Sequence, residues 1–218
     1  YMIELAGAER SFSYWRDASA ARLLAQDEAC LDRAFSGVGL IHVSGITLAI
    51  LDDGGRERLA KALQTARTTG TRISFDPNVR PRLWASPDAA RAAMAQFFAI
   101  TDIALPSFDD EADLWGDASP DQTIDRIAAF GVPELVVKNG AGSVSTKADD
   151  RADIPTTQTT DLRDTSGAGD AFNAGYLAAR MFGKPPASAV ASGQAMAAEV
   201  IRHFGARIPS ASVPPLPA

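Results

Sequence analysis

Hydrophobic and polar positions follow two alternating rhythms along this chain. Residues 2–5 and 10–15 alternate apolar and polar side chains around Gly7, the period-two pattern of a hairpin. Residues 38–43 form a compact apolar run, which predicts a buried strand. Over 56–68, Leu59, Ala62, Leu63 and Ala66 recur at helical spacing, and Gly70 ends that helix. The alternation then repeats: a strand over 72–75, a helix over 88–98 with Ser86 as its N-cap, and a strand over 102–105 closed by Pro106. Short helices at 109–115 and 121–130 lead to a strand over 134–138. Residues 143–146 read as a strand pairing with a neighbour, and helices over 168–181 and 187–203 close the pattern.

Strand and helix in regular alternation predict an α/β fold, a mostly parallel sheet flanked by helices on both faces, joined by right-handed crossovers. The hairpin does not fit a parallel sheet. It reads as part of a small β-lid over residues 1–17, beside an α/β core over 18–208 and a flexible proline- and serine-rich tail over 209–218.

Composition narrows the partners. With 218 residues, 46% hydrophobic and 22% charged, the chain can bury a substantial core. A net charge of −6 argues against nucleic acid. The apolar stretch over 38–51 is short and interrupted by His42 and Ser44, so it predicts no membrane span. One cysteine, Cys30, allows no internal disulfide and reads as a packing residue. A cytoplasmic setting fits it. His42 and His203 have no metal-ligating companions at suitable spacing and read as structural. The first residues carry no basic flank or cleavage site of a signal peptide and read like the middle of a strand.

The richest chemistry lies in Asp164-Thr165-Ser166-Gly167-Ala168-Gly169-Asp170-Ala171-Phe172. A polar loop becomes a glycine-rich turn and then a helix of small residues. Backbone N–H groups at such a helix start, with the macrodipole behind them, suit an anion. They suit equally the charge developing on a transferring phosphoryl group. Asp170, in the first turn, could take the proton from an attacking hydroxyl. The spacing is neither a dinucleotide fingerprint nor a Walker A loop.

This stretch resembles the signature D-T-x-G-A-G-D-x-F of the ribokinase-like, or PfkB, carbohydrate kinases. The resemblance implies a ribokinase-like fold, with Asp170 as catalytic base and Gly167, Ala168 and Gly169 as the anion hole. It also implies ATP and Mg²⁺, with a monovalent cation and a homo-oligomer left open. Further stretches agree. Residues 136–143, with Lys138, Gly140 and Gly142, resemble the family's strand and glycine turn beside the nucleotide. Residues 105–112 resemble the family's N-x-x-E segment, with Ser107 in place of the asparagine. Asp110 and Glu111 are its candidates for an outer Mg²⁺ shell. Gln194 stands where family members often place an asparagine near the adenine.

Two stretches point to the sugar. Phe75-Asp76-Pro77-Asn78-Val79-Arg80 follows a strand directly, where ligands of open α/β sheets bind. Asp76 and Asn78 are polar hooks, and Arg80 could grip a carboxylate. With its continuation to Trp84, this stretch resembles a form shared by 2-keto-3-deoxygluconate kinases and some fructose kinases. Tyr14 and Arg16, two apart on a strand, share a face. Their surroundings resemble the Y-x-R-x-x-S-A-A motif of 2-keto-3-deoxygluconate kinases, which use both residues on the substrate. Arg16 and Arg80 together would compensate an acidic sugar. The reading is an ATP-dependent sugar-acid kinase. A fructokinase or another sugar kinase of the family is the alternative. By the same resemblance, about the first third of the usual domain does not precede Tyr1. That motivates a rival of another class, a non-catalytic nucleotide- or sugar-binding fragment.

Overall fold

The computed structural model describes residues 2–6, 9–13, 15, 18–148, 150–157, 159 and 161–215, with the side chains of 3–6 and 9–12 left aside. Strands β1 (Met2–Ala6) and β2 (Glu9–Ser13) pair antiparallel, with Ala6 opposite Glu9, as a two-stranded sheet of their own. The expected hairpin is present, and its turn falls outside the described residues.

After a short helix, α1 (Glu28–Phe35), the chain enters a six-stranded sheet. Its strands are β3 (Leu40–Ser44), β4 (Arg72–Asp76), β5 (Ile103–Ala104), β6 (Glu134–Val137), β7 (Val144–Lys147) and β8 (Arg151–Ile154), in that spatial order. Neighbours from β3 to β6 are parallel, and β7 and β8 turn back antiparallel at one edge. Helices α2 (Gly45–Ile50), α3 (Asp53–Thr68), α4 (Pro87–Phe98), α5 (Phe108–Trp115) and α6 (Pro120–Ala128) connect the parallel strands. Helices α7 (Ala168–Met181) and α8 (Pro186–Val200) follow β8 and pack on each other.

Strand alternation sorts the core into two layers. Ile41, Val43, Ile73, Phe75, Leu135 and Val137 face the cluster built with α3 and α4, which includes Leu63, Phe97 and Phe98. Ile103, Leu105, Val136 and Val144 face Phe172, Tyr176, Leu177 and Val190 of α7 and α8. A single strand therefore feeds both layers, as a sheet covered on both faces requires. Arg180 and Tyr176 pin α7 to the sheet through Glu134. The guanidinium donates to both carboxylate oxygens at 2.8 Å and the phenol to one at 2.6 Å. Burial and the adjacent carboxylate push the Tyr176 phenol far above its ordinary pKa.

Elements absent from the pattern reading are α1, α2 and β8. Helix α8 also ends at Val200, three residues before the expected limit. Within 38–51 the chain passes from strand to helix inside one mostly apolar stretch. Ser44 makes the switch, its hydroxyl capping the N–H of Ile46 at 3.3 Å. No helix among the described residues is long and apolar enough to cross a membrane.

Candidate active site

All the polar loops of interest leave the sheet at the C-terminal ends of the parallel strands, where open α/β sheets bind ligands. Asp76 ends β4. Pro106 and Ser107 follow β5, and Lys138 follows β6, tied to them by the bonds Lys138 N–H to Pro106 O at 2.9 Å and Phe108 N–H to Lys138 O at 2.7 Å. Opposite these ends stands the N-terminus of α7.

The turn before α7 is built by its own residues. The Asp164 carboxylate is buried; one oxygen accepts the N–H of Ser166 at 2.8 Å and the other the N–H of Gly205 at 2.9 Å. This fastens the segment after α8 onto the motif. Gly167 caps the helix at φ +77°, and a Cβ there would sit 2.7 Å from the Cβ of Ala206. Only glycine meets both the left-handed backbone and the close approach. The Ala168 N–H donates back to Thr165 O at 3.2 Å, and the N–H groups of Gly169 and Asp170 have no acceptor within the helix, at the positive end of its dipole. Asp170 stands exposed in that turn.

A cleft of about 450 Å³ opens beside it, lined on one side by Ser107, Lys138, Asn139, Gly140 and Ala141, and by Ala168, Gly169 and Phe172 of α7. Val144, Leu162, Gln194, Ala197 and Ile201 make the far wall largely apolar, with Thr156, Thr157 and Thr159 as its polar rim. Such a cleft offers an apolar slot for a flat ring and a polar, cationic end for phosphates.

The cationic end is Lys138, only 8% exposed. Its ammonium donates to Asp76 Oδ2 at 2.7 Å and to Asn173 Oδ1 at 3.1 Å. It lies 3.7 Å from where a Cβ on Gly169 would be, directly beside the first turn of α7. Asn173 Nδ2 in turn donates to Asp76 Oδ2 at 2.6 Å.

The loop after β4 is held just as firmly. Asp76 Oδ1 accepts the N–H of Asn78, whose φ of +37° is the one non-glycine positive value among the described residues. The N–H of Val79 donates to Asp110 Oδ2 at 2.9 Å, and Arg80 Nη1 stands 3.7 Å from the same oxygen. Burial raises the Asp110 pKa above the ordinary carboxylate value; Arg80 and Lys138 oppose the rise, and Asp76 adds to it. Below the loop, Gly45 starts α2 so close to Pro77 that a Cβ would lie 1.8 Å from its carbonyl oxygen.

Of the expected nucleotide residues, Ser107, Lys138, Gly140, Gly169 and Gln194 line the cleft together. Gly142 and Gly167 shape the turns behind it instead. Gln194 spends its amide on Pro155 O at 3.0 Å and Thr156 Oγ1 at 3.2 Å, tying α8 to the rim. On the sugar side, Asn78 and Arg80 stand near the loop surface. Asp76 is 3% exposed and fully engaged with Lys138, Asn173 and Asn78, so it holds the loop rather than presenting an open hook. Tyr14 and Arg16 lie outside the described residues.

The two acidic candidates for the magnesium shell part company. Asp110 stays at the loop. Glu111 turns into the interior between α5 and α6 and is fully buried. There it accepts from Arg126 at 2.7 Å, and Arg126 also grips Asp117 and lies over the ring of Trp115. No group of three or more His, Cys, Asp or Glu able to hold a metal occurs among the described residues.

Sequence reasoning missed Asn173, Gly45 and the setting of His42. His42 Nδ1 lies 3.0 Å from Ser74 Oγ, on the strand face that also carries Asp76. The ring is open to solvent along one side. Crowding on its other side lowers the pKa below the ordinary histidine value; Asp76 and Asp170 oppose this, and Lys138 adds to it.

A family model described as pfkB family carbohydrate kinase matches residues 1–212. The chain belongs to the pfkB family. Membership bears out the ribokinase-like fold and sets the class of chemistry as phosphoryl transfer to a sugar hydroxyl. A 2-dehydro-3-deoxygluconokinase of Dickeya dadantii is 38% identical over 98% of this chain and 71% of its own length. A fructokinase of Vibrio alginolyticus is 30% identical over 78% of this chain and 54% of its own. Among solved structures, a ribokinase II of Escherichia coli in complex with ATP and Mg²⁺ matches 94% of this chain and 65% of its own, with TM-score 0.79 and 25% identity. This pfkB chain therefore spans roughly half to seven tenths of the length of these proteins.

Proposed function

We propose that this chain carries the nucleotide site and catalytic base of an ATP-dependent sugar-acid kinase acting on 2-keto-3-deoxygluconate. The observation that carries the reading is an exposed Asp170 in the first turn of α7 with the buried Lys138 ammonium, which follows β6, beside that turn, where Lys138 and Gly169 line the cleft. ATP occupies the cleft with its phosphates at the Lys138 end. Asp170 takes the proton of a primary sugar hydroxyl, whose oxygen attacks the γ-phosphorus. The bond from that phosphorus to the β-phosphate bridging oxygen breaks, and ADP leaves. The N–H groups of Gly167, Ala168 and Gly169, with Lys138, meet the charge that develops.

Mg²⁺ fits this site in one way. Magnesium keeps several waters and takes few protein carboxylates when phosphates supply the rest. Asp110, partly exposed beside the loop, is the carboxylate that would hold those waters, whereas Glu111 is sealed away. Magnesium would supply neutralisation of the phosphates. A monovalent cation is a separate question, tested by exchanging K⁺ for Na⁺ in the assay.

The acid-sugar reading rests on Arg80 and Arg16 as two cations for one carboxylate, and on the similarity to a 2-dehydro-3-deoxygluconokinase. A coupled assay of ADP release over sugar acids and neutral sugars tests it, alongside calorimetry with MgATP. Preference for a sugar acid by kcat/KM is expected. Preference for fructose would move the assignment to the fructokinases. Binding of MgATP and sugar without turnover would favour a non-catalytic binding fragment.

A further inference from the structure

Asn173 is an unexpected residue where it stands. It lies in the interior of α7, 2% exposed, one turn beyond Asp170. Asparagine is a poor helix former, and at this depth it serves no cap. Its side chain closes a triangle with two charged groups: Nδ2 to Asp76 at 2.6 Å, Oδ1 to Lys138 at 3.1 Å, and Lys138 to Asp76 at 2.7 Å. Only one orientation of the amide works, because the flipped one would set its NH₂ against an ammonium and its oxygen against a carboxylate. The position demands a donor and an acceptor on one small planar group. An aliphatic residue supplies neither, and a second carboxylate would face Asp76 with like charge.

The triangle matters because lysine is a point charge on a flexible stem. Asp76 alone would leave the ammonium free to swing about one contact. With Asn173 as second acceptor, two of its three N–H groups are committed and the charge is held beside Gly169. Preset charge is what phosphoryl transfer uses, since a cation that need not reorganise stabilises the transition state most.

We propose that Asn173 is a positioning residue for phosphoryl transfer, fixing the Lys138 ammonium against the first turn of α7 with Asp76 as its counter-charge. This rests on the kinase reading above. It adds a role to a side chain outside the lining of the cleft, and it moves Asp76 from sugar contact to charge holder.

The test compares wild-type chain, Asn173→Ala, Asn173→Asp, and Asn173→Asp combined with Asp76→Asn. The last exchanges amide and carboxylate around Lys138 at unchanged net charge. Calorimetry measures MgATP and adenosine affinity. Acetylation of Lys138 by an N-hydroxysuccinimide ester, read by peptide mass spectrometry, reports the freedom of the ammonium. Asn173→Ala is expected to weaken MgATP roughly 10- to 100-fold, the range for a hydrogen bond to a charged group, and to leave adenosine unchanged. Lys138 acetylation should quicken. The exchanged pair should recover part of the MgATP affinity that Asn173→Asp alone loses, short of wild type because an amide at 76 cannot accept from both Lys138 and the Asn78 N–H. That comparison stands even if Asn173→Ala does not fold.

Equal weakening of adenosine and MgATP, unchanged Lys138 acetylation in a folded Asn173→Ala, or no recovery in the exchanged pair would each overturn the positioning role. Wild-type binding of MgATP with Asn173→Ala unaffected sinks this proposal alone. Absence of MgATP binding by the wild-type chain sinks the kinase reading and this proposal with it.

Discussion

Lys138 and Asp76 are 62 residues apart in sequence and 2.7 Å apart in space, buried together where β4 and β6 end. The pair joins the two halves of the site: the nucleotide turn after β6 and the sugar-side loop after β4. A buried ion pair of this kind depends on both members, because removing one strands the other without solvent.

Asp76→Ala is therefore expected to destabilise the fold by about 3–5 kcal/mol, leaving an uncompensated ammonium inside. Urea unfolding measures this. Stability equal to wild type would show that Lys138 finds solvent or another partner.

Asp170→Asn should leave fold and MgATP affinity intact and lower turnover by about 10²–10⁴-fold, the usual loss for a general base. Asp170 is exposed at a helix start and supports no core contact, so its removal tests chemistry rather than folding. Initial rates with saturating MgATP decide it; turnover near wild type would remove Asp170 from the base role.

Arg80→Ala should weaken sugar-acid binding roughly 10- to 100-fold and MgATP binding far less, since a charge-assisted contact of this type contributes about 1.5–3 kcal/mol. Its guanidinium now donates to Val79 O at 2.8 Å and faces Asp110, contacts it can release to a carboxylate. Unchanged kcat/KM for 2-keto-3-deoxygluconate would refute the assignment.

Gly45→Ala drives a methyl into the Pro77 carbonyl, 1.8 Å from the ideal Cβ, a backbone atom that cannot step aside alone. Overpacking of this sort costs about 1–3 kcal/mol, and here the strain falls on the sugar-side loop. Lower urea stability with weaker sugar-acid affinity is expected; a neutral substitution would mean that the loop is not seated on α2.

How far the sequence could be read depended on distance along the chain. The turn at Gly167–Asp170 is local: glycines, dipole and carboxylate lie within one helical turn, so their joint meaning is visible in the string. The mostly parallel sheet with helices on both faces followed from strand–helix alternation for the same reason, whereas the spatial order of its strands came only from the structure. Asn173 was invisible because its partners lie 35 and 97 residues away, and its own neighbours read as a plain helix face. Helix α2 was hidden because the stretch over 38–51 stays mostly apolar on both sides of Ser44, where it changes from strand to helix. Glu111 and Asp110, adjacent in sequence, point about 100° apart on α5, so one meets the loop and the other the core. Residue type alone could not separate them.

Glu111 gives the last prediction. Burial pushes its carboxyl up to about 7, against the pull of Arg126, while Asp117 and Asp110 add to the rise. A raised carboxylate pKa means that the folded chain keeps a proton the unfolded chain has released. Below about pH 4.5 both states hold the proton and nothing is lost. Between there and about pH 7 the unfolded state binds fewer protons, so stability falls as pH rises, and above about pH 7 the cost is full. For a shift of this size it is on the order of 3 kcal/mol. Glu111→Gln keeps an acceptor for Arg126 and has no charge to bury. Arg126 retains Asp117, to which it donates at 2.6 Å. Urea unfolding of both proteins at about pH 5 and about pH 8 isolates the effect, because other carboxylates titrate alike in each. The variant should gain on wild type by on the order of 1–3 kcal/mol between the two conditions. A constant difference would show that Glu111 ionises at its ordinary pKa, with Arg126 outweighing burial.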